Sequence, residues 1–513
     1  MKLIMLVSNN LQYDTRVKRH LSTLTKEFDE VLLSARPIPD DQTYLSFPNL
    51  TYTFFDWEPY TYPATKKLRN ALKEIDMFDD IWPVAPAILD EHYYEPDSLD
   101  FEKQLQDTLM DTPQWKEVLE GIPEVADLAK QMGWVFGFLD CAIQWARDIV
   151  SESADVIYCN DIDTLLAGVA HKRRYHSRLI YDAHDIYCDM FPGIFPRMHR
   201  NMLALLERQL LQYVDVLLGV SQSELGWMNK TYRVNILQAV IYNCTEDITQ
   251  ETHIKKTYKL PLRLYYHGNA DPTRGIGNAI DAVARVPDVV FHIRCLPGSF
   301  LDALKEKVRA MGLNNRVFFL APVPGTEAAA AARRDGDIGI HACSTEKSVD
   351  IEVSLTNKFI EYLKAGLPVI TSPIREQAQI IQQYDAGFVL NDDSAESIAY
   401  ALEQAVRQIK KLPRMSRNAL RASKKLFDWS VYRQRLVSLV TGRAVAKLPQ
   451  HSKANDESLV LRHELAAWKR VARMALESRS EATKRLKEEY AVRLSLSAQL
   501  GLEAQQSTKD TNA

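Results

Sequence analysis

The sequence has no excess of positive charge. Its 63 Lys and Arg residues are outnumbered by 67 Asp and Glu residues, and the formal net charge is -4 at pH 7. Proteins that bind the phosphate backbone of DNA or RNA usually present a strongly basic surface. We therefore expect no nucleic-acid partner.

Cysteine and long apolar segments are also scarce. The six cysteines show no CxxC spacing, so neither a disulfide scaffold nor a zinc site is predicted. No run reaches the roughly 18 to 20 apolar residues that a membrane span requires, and the opening MKLIMLVSNN becomes polar too early for a signal peptide. We expect a cytoplasmic protein without a metal ion.

The composition is that of an ordinary globular protein of more than one domain. The chain has 513 residues, of which 46% are hydrophobic and 25% charged. Because domains usually contain about 100 to 200 residues, this length predicts two large domains or three smaller ones.

Short apolar runs in the first half predict a parallel sheet. Several are continuously apolar, as expected for strands covered by helices on both faces, and helical patterns such as Thr15 to Lys26 and Arg200 to Tyr213 alternate with them. The predicted strands are Lys2 to Ser8, Glu30 to Ala35, Thr51 to Phe55, Asp155 to Cys159, Arg178 to Asp182 and Val214 to Ser221.

The same alternation begins again after the polar stretch Thr245 to Lys256. It predicts an α/β protein with two facing Rossmann-like doubly wound domains, residues 1–250 and 251–427, and a ligand cleft between them. The predicted strands of the second domain are Leu262 to His267, Val289 to Arg294, Val317 to Leu320, Asp337 to His341, Pro368 to Thr371 and Gly387 to Leu390.

Residues 56–150 are too many for a loop between two strands and predict a helical insert. The insert would pack on the sheet, recognise the acceptor or face a membrane. Its basic stretch, with Lys66, Lys67, Arg69 and Lys73, fits either a solvated helix face or contact with anionic lipid or a polyanionic acceptor.

Two helical segments are predicted near the end of the sequence. Ser430 to Val440 forms a helix within residues 428–445. From Ala446 to residue 513 glycine is rare, and apolar residues recur at spacings of three and four. This tail would form either a coiled coil, and hence a homo-oligomer, or a helix docked on the protein's own surface, with a disordered end past Leu502.

The stretch SLTNKFIEYLKAGLPVITS, residues 354–372, predicts a helix whose N-terminus binds an anion. A helix start offers unpaired N–H groups and the positive end of the dipole. Lys358 in the first turn opposes that dipole, so a bound phosphate explains it better than helix stability does. Glu361 would accept hydrogen bonds from ribose hydroxyls, or would form a surface ion pair with Lys358. The capping side chains at the start are Ser354, Thr356 and Asn357.

The stretch YHGNADPTRGIGNAIDAV, residues 266–283, leads from a strand through a glycine-containing loop into a helix. Its glycines do not match GxGxxG, which makes it a weak dinucleotide motif. Arg274 lies in this loop, at the sheet edge where open α/β sheets bind ligands, and its planar guanidinium suits a diphosphate.

These two stretches resemble the retaining nucleotide-sugar glycosyltransferases of the GT-B fold, in particular glycosyltransferase family 4. The family's Gly-Arg…Lys-Gly loop, which holds the donor diphosphate, corresponds to Gly268-Asn269…Arg274-Gly275. Glu361 corresponds to the second of two family glutamates, the ribose ligand, and Val353 occupies the position of the first.

The first half extends the resemblance. YDTRV, residues 13–17, is similar to the family's Asp-Pro-Arg-Val, and VIYCNDIDTLLAG, residues 156–168, also matches. The resemblance implies that His184 faces the donor sugar and that residues 428–445 cross back to the first domain. Asp161 and Asp163 mimic a DxD metal motif, but we interpret them as loop or capping residues.

The resemblance implies the following site. The catalytic residues are His184, Arg274, Lys358 and Glu361. The donor contacts are Gly268, Asn269, Arg274, Pro297, Ser354, Leu355, Thr356, Asn357, Lys358 and Glu361. The acceptor contacts are Asn9, Asn10, Tyr13, Arg16 and Asp185.

The implied reaction transfers a sugar from a nucleoside-diphosphate sugar to an acceptor hydroxyl with retention of anomeric configuration, without a metal or a further cofactor. The acceptor would be a glycan, a lipid-linked molecule or a small molecule in surface polysaccharide or glycoconjugate synthesis, in the cytoplasm or on the inner face of the membrane. Asn269 and Val353 support an alternative, a catalytically degenerate GT-B protein that binds a nucleotide sugar or glycan and recruits partners through its tail. A third interpretation is a nucleotide-sugar epimerase.

Overall fold

A computed structural model describes residues 1–9, 11, 14–37, 45–54, 142, 145–149, 151–189, 197–244, 257–344 and 348–443. All of them belong to the compact unit Met1–Val445. Nearly all of the proposed insert and the whole tail from residue 446 lie outside the described residues, so the expectations for them stay predictions.

The first sheet has seven strands in the order β3-β2-β1-β4-β5-β6-β7, and every neighbouring pair is parallel. Its central strands are buried on both faces, as their continuous apolar sequences predict. The strands are β1 (Lys2–Leu6), β2 (Glu30–Ala35), β3 (Leu50–Phe54), β4 (Val156–Asn160), β5 (Arg178–Asp182), β6 (Val216–Gly219) and β7 (Leu237–Val240).

The second sheet has six parallel strands in the order β10-β9-β8-β11-β12-β13. They are β8 (Leu262–His267), β9 (Val289–Arg294), β10 (Val317–Leu320), β11 (Ile338–His341), β12 (Val369–Thr371) and β13 (Gly387–Val389). The prediction of two Rossmann-like doubly wound domains is thus confirmed.

Helices connect the strands and cover both sheets. In the first domain they are α1 (Thr15–Leu24), α2 (Ile162–Tyr175), α3 (Arg197–Leu210) and α4 (Gln222–Tyr232). The later helices are α5 (Ile276–Arg285), α6 (Ser299–Ala310), α7 (Ala328–Asp335), α8 (Val349–Val353), α9 (Asn357–Ala365), α10 (Arg375–Tyr384), α11 (Ala395–Arg407), α12 (Leu412–Leu426) and α13 (Trp429–Thr441). None of the helices described combines the length and apolar character needed to cross a membrane.

The strand order reverses between β1 and β4 in one sheet and between β8 and β11 in the other. At such a reversal the loops from neighbouring strands run to opposite faces of the sheet and leave a crevice at the carboxyl ends of the strands. This topology places the two best loops for ligand binding after β1 and β8.

Each domain caps a helix of the other. The Glu376 carboxylate of α10 accepts hydrogen bonds from the backbone N–H of Gln222 (2.8 Å) and Ser223 (3.4 Å) at the start of α4. In the reverse direction, the Asp189 carboxylate accepts a hydrogen bond from the Val349 N–H at the start of α8. These caps join the two halves of the unit beside the crevice.

The last described helix, α13, packs on the first sheet, where the family resemblance places it. The Trp429 ring stacks on the His20 ring of α1 at a centroid distance of 5.3 Å. Trp429, Leu436 and Val440 are buried in the same apolar cluster as Leu3 of β1. The first domain is therefore completed by a helix that follows the second domain in sequence.

One strand of the first sheet was not predicted. β7, with the sequence LQAV, is an edge strand that is only half buried and carries a polar Gln238. Because an edge strand needs no continuous apolar run, its sequence gives a weak signal.

Candidate functional site

A cavity of about 600 Å³ lies where the carboxyl ends of the two sheets face each other. The first domain contributes the loops after β1, β5, β6 and β7, and the second contributes the loop after β8 and the start of α9. The predicted site residues that line it are Asn9, Arg16, His184, Asp185, Gly268, Asn269, Arg274, Ser354, Leu355, Thr356, Asn357, Lys358 and Glu361.

The structure does not bring every predicted residue to this cavity. Pro297 is exposed in the loop after β9 and is not among the lining residues, so its assignment as a donor contact is not supported. Asn10 and Tyr13 lie outside the described residues, and their proposed acceptor contacts stay predictions.

The N-terminus of α9 opens into the cavity. Its N-cap residue, Thr356, does not cap the helix with its side chain; the Thr356 hydroxyl lies instead 3.3 Å from Nε2 of buried His341, at the end of β11. The N–H groups of the first turn are therefore available to an anion, and the helix dipole favours one there.

Lys358 and Arg274 add two positive charges at this point. The Lys358 ammonium donates a hydrogen bond to the Tyr266 hydroxyl (3.1 Å) and lies 4.7 Å from the centre of that ring. Burial, together with the charge of Arg274, lowers the pKa of Lys358 to about 8. Together with the open N-terminus of α9, these two cations suit an anion with more than one negative charge.

The loop that carries Arg274 packs closely against the backbone of Ala342. Gly275 has φ +65°, and a Cβ atom at this position would lie 1.8 Å from the Ala342 carbonyl oxygen. Gly268 has φ +123°, and its missing side chain leaves room for the Lys358 ammonium, which would be 3.4 Å from a Cβ atom. Glycine at both positions lets the loop approach the anion site.

We expect Gly275→Ala to destabilise the protein by about 1–3 kcal/mol, because the new methyl group strains the backbone and displaces either the loop or residue 342. Urea unfolding measures the loss. Gly298→Ala is the matched control, since nothing lies within 4 Å of that position. Equal stabilities of the two variants would contradict the close approach.

Glu361 lies one turn further along α9 and pairs with a residue that the sequence analysis did not identify. Its Oε2 atom is 2.5 Å from Nε2 of His267, the last residue of β8, and both side chains are largely buried. The expected surface ion pair between Glu361 and Lys358 is not formed. The carboxylate remains at the cavity wall, where it can accept further hydrogen bonds.

His184 is held between two carboxylates of the first domain. Its Nδ1 lies 3.2 Å from Asp161 Oδ2, and its Nε2 lies 3.3 Å from Asp182 Oδ2. Burial opposes protonation, but the two carboxylates outweigh it and raise the pKa of His184 well above its usual value. The protonated form of His184 is thus favoured, and each of its ring nitrogens faces a carboxylate.

Asp161 therefore differs from its predicted role. It occupies the N-cap position of α2 but makes no side-chain cap; its Oδ1 accepts the His184 backbone N–H (2.9 Å), and its Oδ2 faces the imidazole. In the part of the chain that the structure describes, no group of three or more His, Cys, Asp or Glu side chains is arranged to hold a metal ion.

Arg16 is a correction to the predicted acceptor site. Its guanidinium is buried and makes a bidentate pair with Asp182 (2.6 and 3.1 Å). It also donates to the Ile241 carbonyl and the Asn243 side chain (3.1 Å). Because these contacts occupy four of its five N–H donors and Asp182 balances its charge, the main role of Arg16 is to stabilise the wall of the cavity.

Two more carboxyl groups meet where the domains approach each other. Asp350 Oδ1 of α8 accepts the backbone N–H of Ile186 (2.9 Å), next to Asp185. Burial, with the charge of Asp350, raises the pKa of Asp185 to about 8, and burial raises that of Asp350 to about 6. The neutral form of Asp185 is therefore favoured where it lines the cavity.

A second cavity, of about 420 Å³, continues from the first on the other side of Glu361. The two share Thr15, Asn243, Asn357 and Glu361 as wall residues. The second is further lined by Lys18 of α1 and by Gly325 and Thr326 after β10, among others. Glu361 thus stands between the open start of α9 and the second cavity.

Comparison with known proteins agrees with this architecture. Residues 261–408 match the family model described as Glycosyl transferases group 1. An uncharacterized glycosyltransferase of Methanocaldococcus jannaschii is 26% identical over 188 residues, which are 36% of this chain and 46% of that protein. The match thus spans about half the length of this curated relative.

Solved structures share the fold over most of the chain. Sucrose-phosphate synthase of Thermosynechococcus elongatus has a TM-score of 0.58 at 13% identity, covering 86% of this chain and 99% of that one. HepE of Anabaena in complex with UDP has a TM-score of 0.55 at 15% identity, covering 86% and 100%. The chain therefore has the GT-B fold.

Proposed function

We propose that the protein is a retaining glycosyltransferase that moves a sugar from a nucleoside-diphosphate sugar to an acceptor hydroxyl without a metal ion. The observation that carries the proposal is the anion site in the interdomain cavity, made by Arg274, Lys358 and the open N-terminus of α9. The group 1 family match supports the same reaction class.

The departing diphosphate accounts for the charges at this site. When the glycosidic bond to phosphate breaks, the sugar becomes oxocarbenium-like and negative charge concentrates on the leaving oxygens. Lys358, Arg274 and the helix dipole stabilise that charge. These groups can do for the diphosphate what a divalent cation does at other sites.

The two cavities match the two ends of a nucleoside diphosphate. With the phosphates at Lys358, the ribose reaches Glu361, and the base extends past it into the second cavity beside Gly325 and Thr326. HepE of Anabaena was solved with UDP and with UDP-glucose, which supports a ligand of this class here. This arrangement does not use Pro297, which was expected to be a donor contact.

The first domain would hold the transferring sugar and the acceptor. His184 and Asp185 both line the cavity, and the raised pKa of Asp185 favours a neutral carboxyl group that can donate to a sugar hydroxyl. We propose that the leaving phosphate accepts the proton of the attacking hydroxyl. Attack from the side of the leaving group retains the anomeric configuration, and the anomeric proton coupling of the product by NMR tests this.

A second candidate is a nucleotide-sugar-binding protein without turnover. Val353 is 2% exposed and belongs to the apolar cluster of the first domain, so its position supplies no group to the cavity. Detectable transfer to any acceptor would exclude this candidate, and turnover without an acceptor would indicate an epimerase. As the biological setting of a transferase we propose surface polysaccharide or glycoconjugate synthesis.

The first experiment measures donor binding by calorimetry and thermal shift. Purified protein is screened against nucleoside diphosphates and their sugars, with and without EDTA. A ligand present at 100 times its Kd should stabilise the protein by about 2.7 kcal/mol. Because the site uses no metal, we expect EDTA to leave the affinity unchanged.

Glu361→Ala should weaken this binding by about tenfold or more, since it removes a charged acceptor of ribose hydroxyls. Glu396→Ala is the matched control, because Glu396 is largely exposed and pairs with Arg285 on the surface. If no nucleotide binds the wild-type protein, or if the two variants behave alike, the proposed donor site is wrong.

A further inference from the structure

The last two residues of β8 contact the two charged side chains that α9 presents to the donor. The Tyr266 hydroxyl accepts a hydrogen bond from Lys358 Nζ (3.1 Å), and His267 Nε2 lies 2.5 Å from Glu361 Oε2. The His267 backbone N–H also donates to the hydroxyl of Tyr362, beside Glu361 (3.1 Å). These three contacts join the end of β8 to the first turns of α9.

The surroundings of His267 determine which ring nitrogen carries the proton. Nδ1 is buried and has no hydrogen-bond partner among the described residues. A buried N–H without an acceptor would be costly, so the proton of the neutral ring lies on Nε2, where Glu361 accepts it. His267 is thus a donor to the Glu361 carboxylate.

The His267 ring is also held in place by packing. It meets the buried Tyr362 ring edge to face at 5.0 Å, and the Tyr265 ring lies 5.6 Å away on its own strand. Because the His267 ring is held in place, the Glu361 Oε2 atom that it contacts is held in place as well. The Glu361 carboxylate cannot rotate without losing its short hydrogen bond to His267.

The result is a carboxylate with one oxygen engaged and one open. Glu361 Oε2 is bound to His267, whereas Oε1 accepts no hydrogen bond from the described residues, and the side chain lines both cavities. Such a preset acceptor suits neighbouring hydroxyls on one ring, because it loses little side-chain entropy when they bind.

We propose that His267 is a positioning residue: it orients Glu361 to bind the 2′- and 3′-hydroxyls of the donor ribose, and so makes the site selective for ribonucleotides. The inference rests on the proposed function, since it assumes that a nucleoside diphosphate occupies the cavity. His267 itself need not touch the ligand.

The test compares ligands with and without ribose hydroxyls. The four ribonucleoside diphosphates ADP, GDP, CDP and UDP and their 2′,3′-dideoxy analogues are titrated into wild type, His267→Phe, His267→Gln and Glu361→Gln by calorimetry. We expect His267→Phe to lower the affinity for the preferred ribonucleotide by about tenfold and to leave that for its dideoxy analogue unchanged.

His267→Gln should retain most of the wild-type affinity, because the glutamine Nε2 can donate to Glu361 as the histidine Nε2 does. If His267→Phe does not fold, His267→Asn replaces it: its amide is too short to reach Glu361, and the same dependence on ribose hydroxyls is expected. With a sugar donor, His267→Phe should raise KM more strongly than it lowers kcat.

Equal losses for ribo and dideoxy ligands would show that His267 only maintains the local structure and would overturn the proposal, as would an unchanged affinity in His267→Phe. If Glu361→Gln loses its preference for ribonucleotides while the His267 variants keep theirs, the donor site stands and only the positioning role fails. If no nucleoside diphosphate binds the wild type, the proposed function fails together with this inference.

Discussion

Replacing Lys358 by alanine is expected to lower kcat/KM for glycosyl transfer by about 10²–10³-fold, the usual effect of removing one preset group that stabilises developing negative charge. Lys358 lies at the open start of α9 and lines the same cavity as Arg274, where we propose that the diphosphate departs. Arg274→Ala should slow transfer by about an order of magnitude or more for the same reason.

The measurement is steady-state kinetics with the donor and acceptor that the binding screen identifies. Lys305→Ala is the control, since that lysine is exposed on α6 and pairs only with nearby Asp302. Unchanged kinetics in both Lys358→Ala and Arg274→Ala would contradict a diphosphate site at this end of the cavity.

The pH dependence of donor binding gives an independent test of Lys358. Its pKa in the unliganded protein is about 8, below the usual value because of burial and the charge of Arg274. Donor affinity should therefore be nearly constant below pH 8 and fall as the pH rises above it and the ammonium deprotonates. Lys358→Arg, which stays charged, should remove the part of this decline that is due to Lys358; a decline that persists unchanged in the variant would assign it to another group of the cavity, such as Asp185.

The largest loss of stability is expected for Asp182→Ala, about 3–5 kcal/mol, because the substitution leaves buried Arg16 without its counter-ion. Asp182 is fully buried at the end of β5 and binds Arg16 through two hydrogen bonds, the Tyr158 hydroxyl through a third (2.7 Å), and faces His184. Three elements of the first domain depend on this one carboxylate.

Urea unfolding of wild type, Asp182→Ala and the exposed control Asp302→Ala measures the change in the free energy of unfolding. The partners also lower the pKa of Asp182 well below its usual value, against the opposing effect of burial. Ionised Asp182 therefore stabilises the folded state fully at pH values above the ordinary pKa of a carboxyl group. This stabilisation is lost as the pH falls through the depressed pKa of Asp182. A loss below about 1 kcal/mol in Asp182→Ala would show that Arg16 finds another partner.

Much of the fold could be predicted from the sequence, and so could the part of the site that α9 forms. Continuous apolar strands such as those at 156–160 and 262–267 are recognisable without tertiary information, since both faces must be covered. Lys358 and Glu361 were predictable because they follow a helix start that opens on a sheet edge, where local rules of capping and charge apply.

The remaining residues depend on contacts that join distant parts of the chain. Arg16 and Asp182 are 166 positions apart, and His267 and Glu361 are 94 apart. No local pattern distinguishes an arginine that will be buried beside a carboxylate from one that faces a ligand. The polar residues that end apolar strands, Asp182, His267 and His341, were the available signal, because strand ends of a doubly wound sheet converge on the site.

The return of α13 to the first sheet also governs the order in which the chain can fold. During synthesis the strands of the first domain emerge long before Trp429, Leu436 and Val440, which later cover the apolar surface around Leu3 and His20. Until then that surface is exposed to water and to other chains. Of the two domains, the one that is synthesised earlier is thus completed later, and a ribosome-bound chain that ends with the second sheet still exposes an apolar patch on the first.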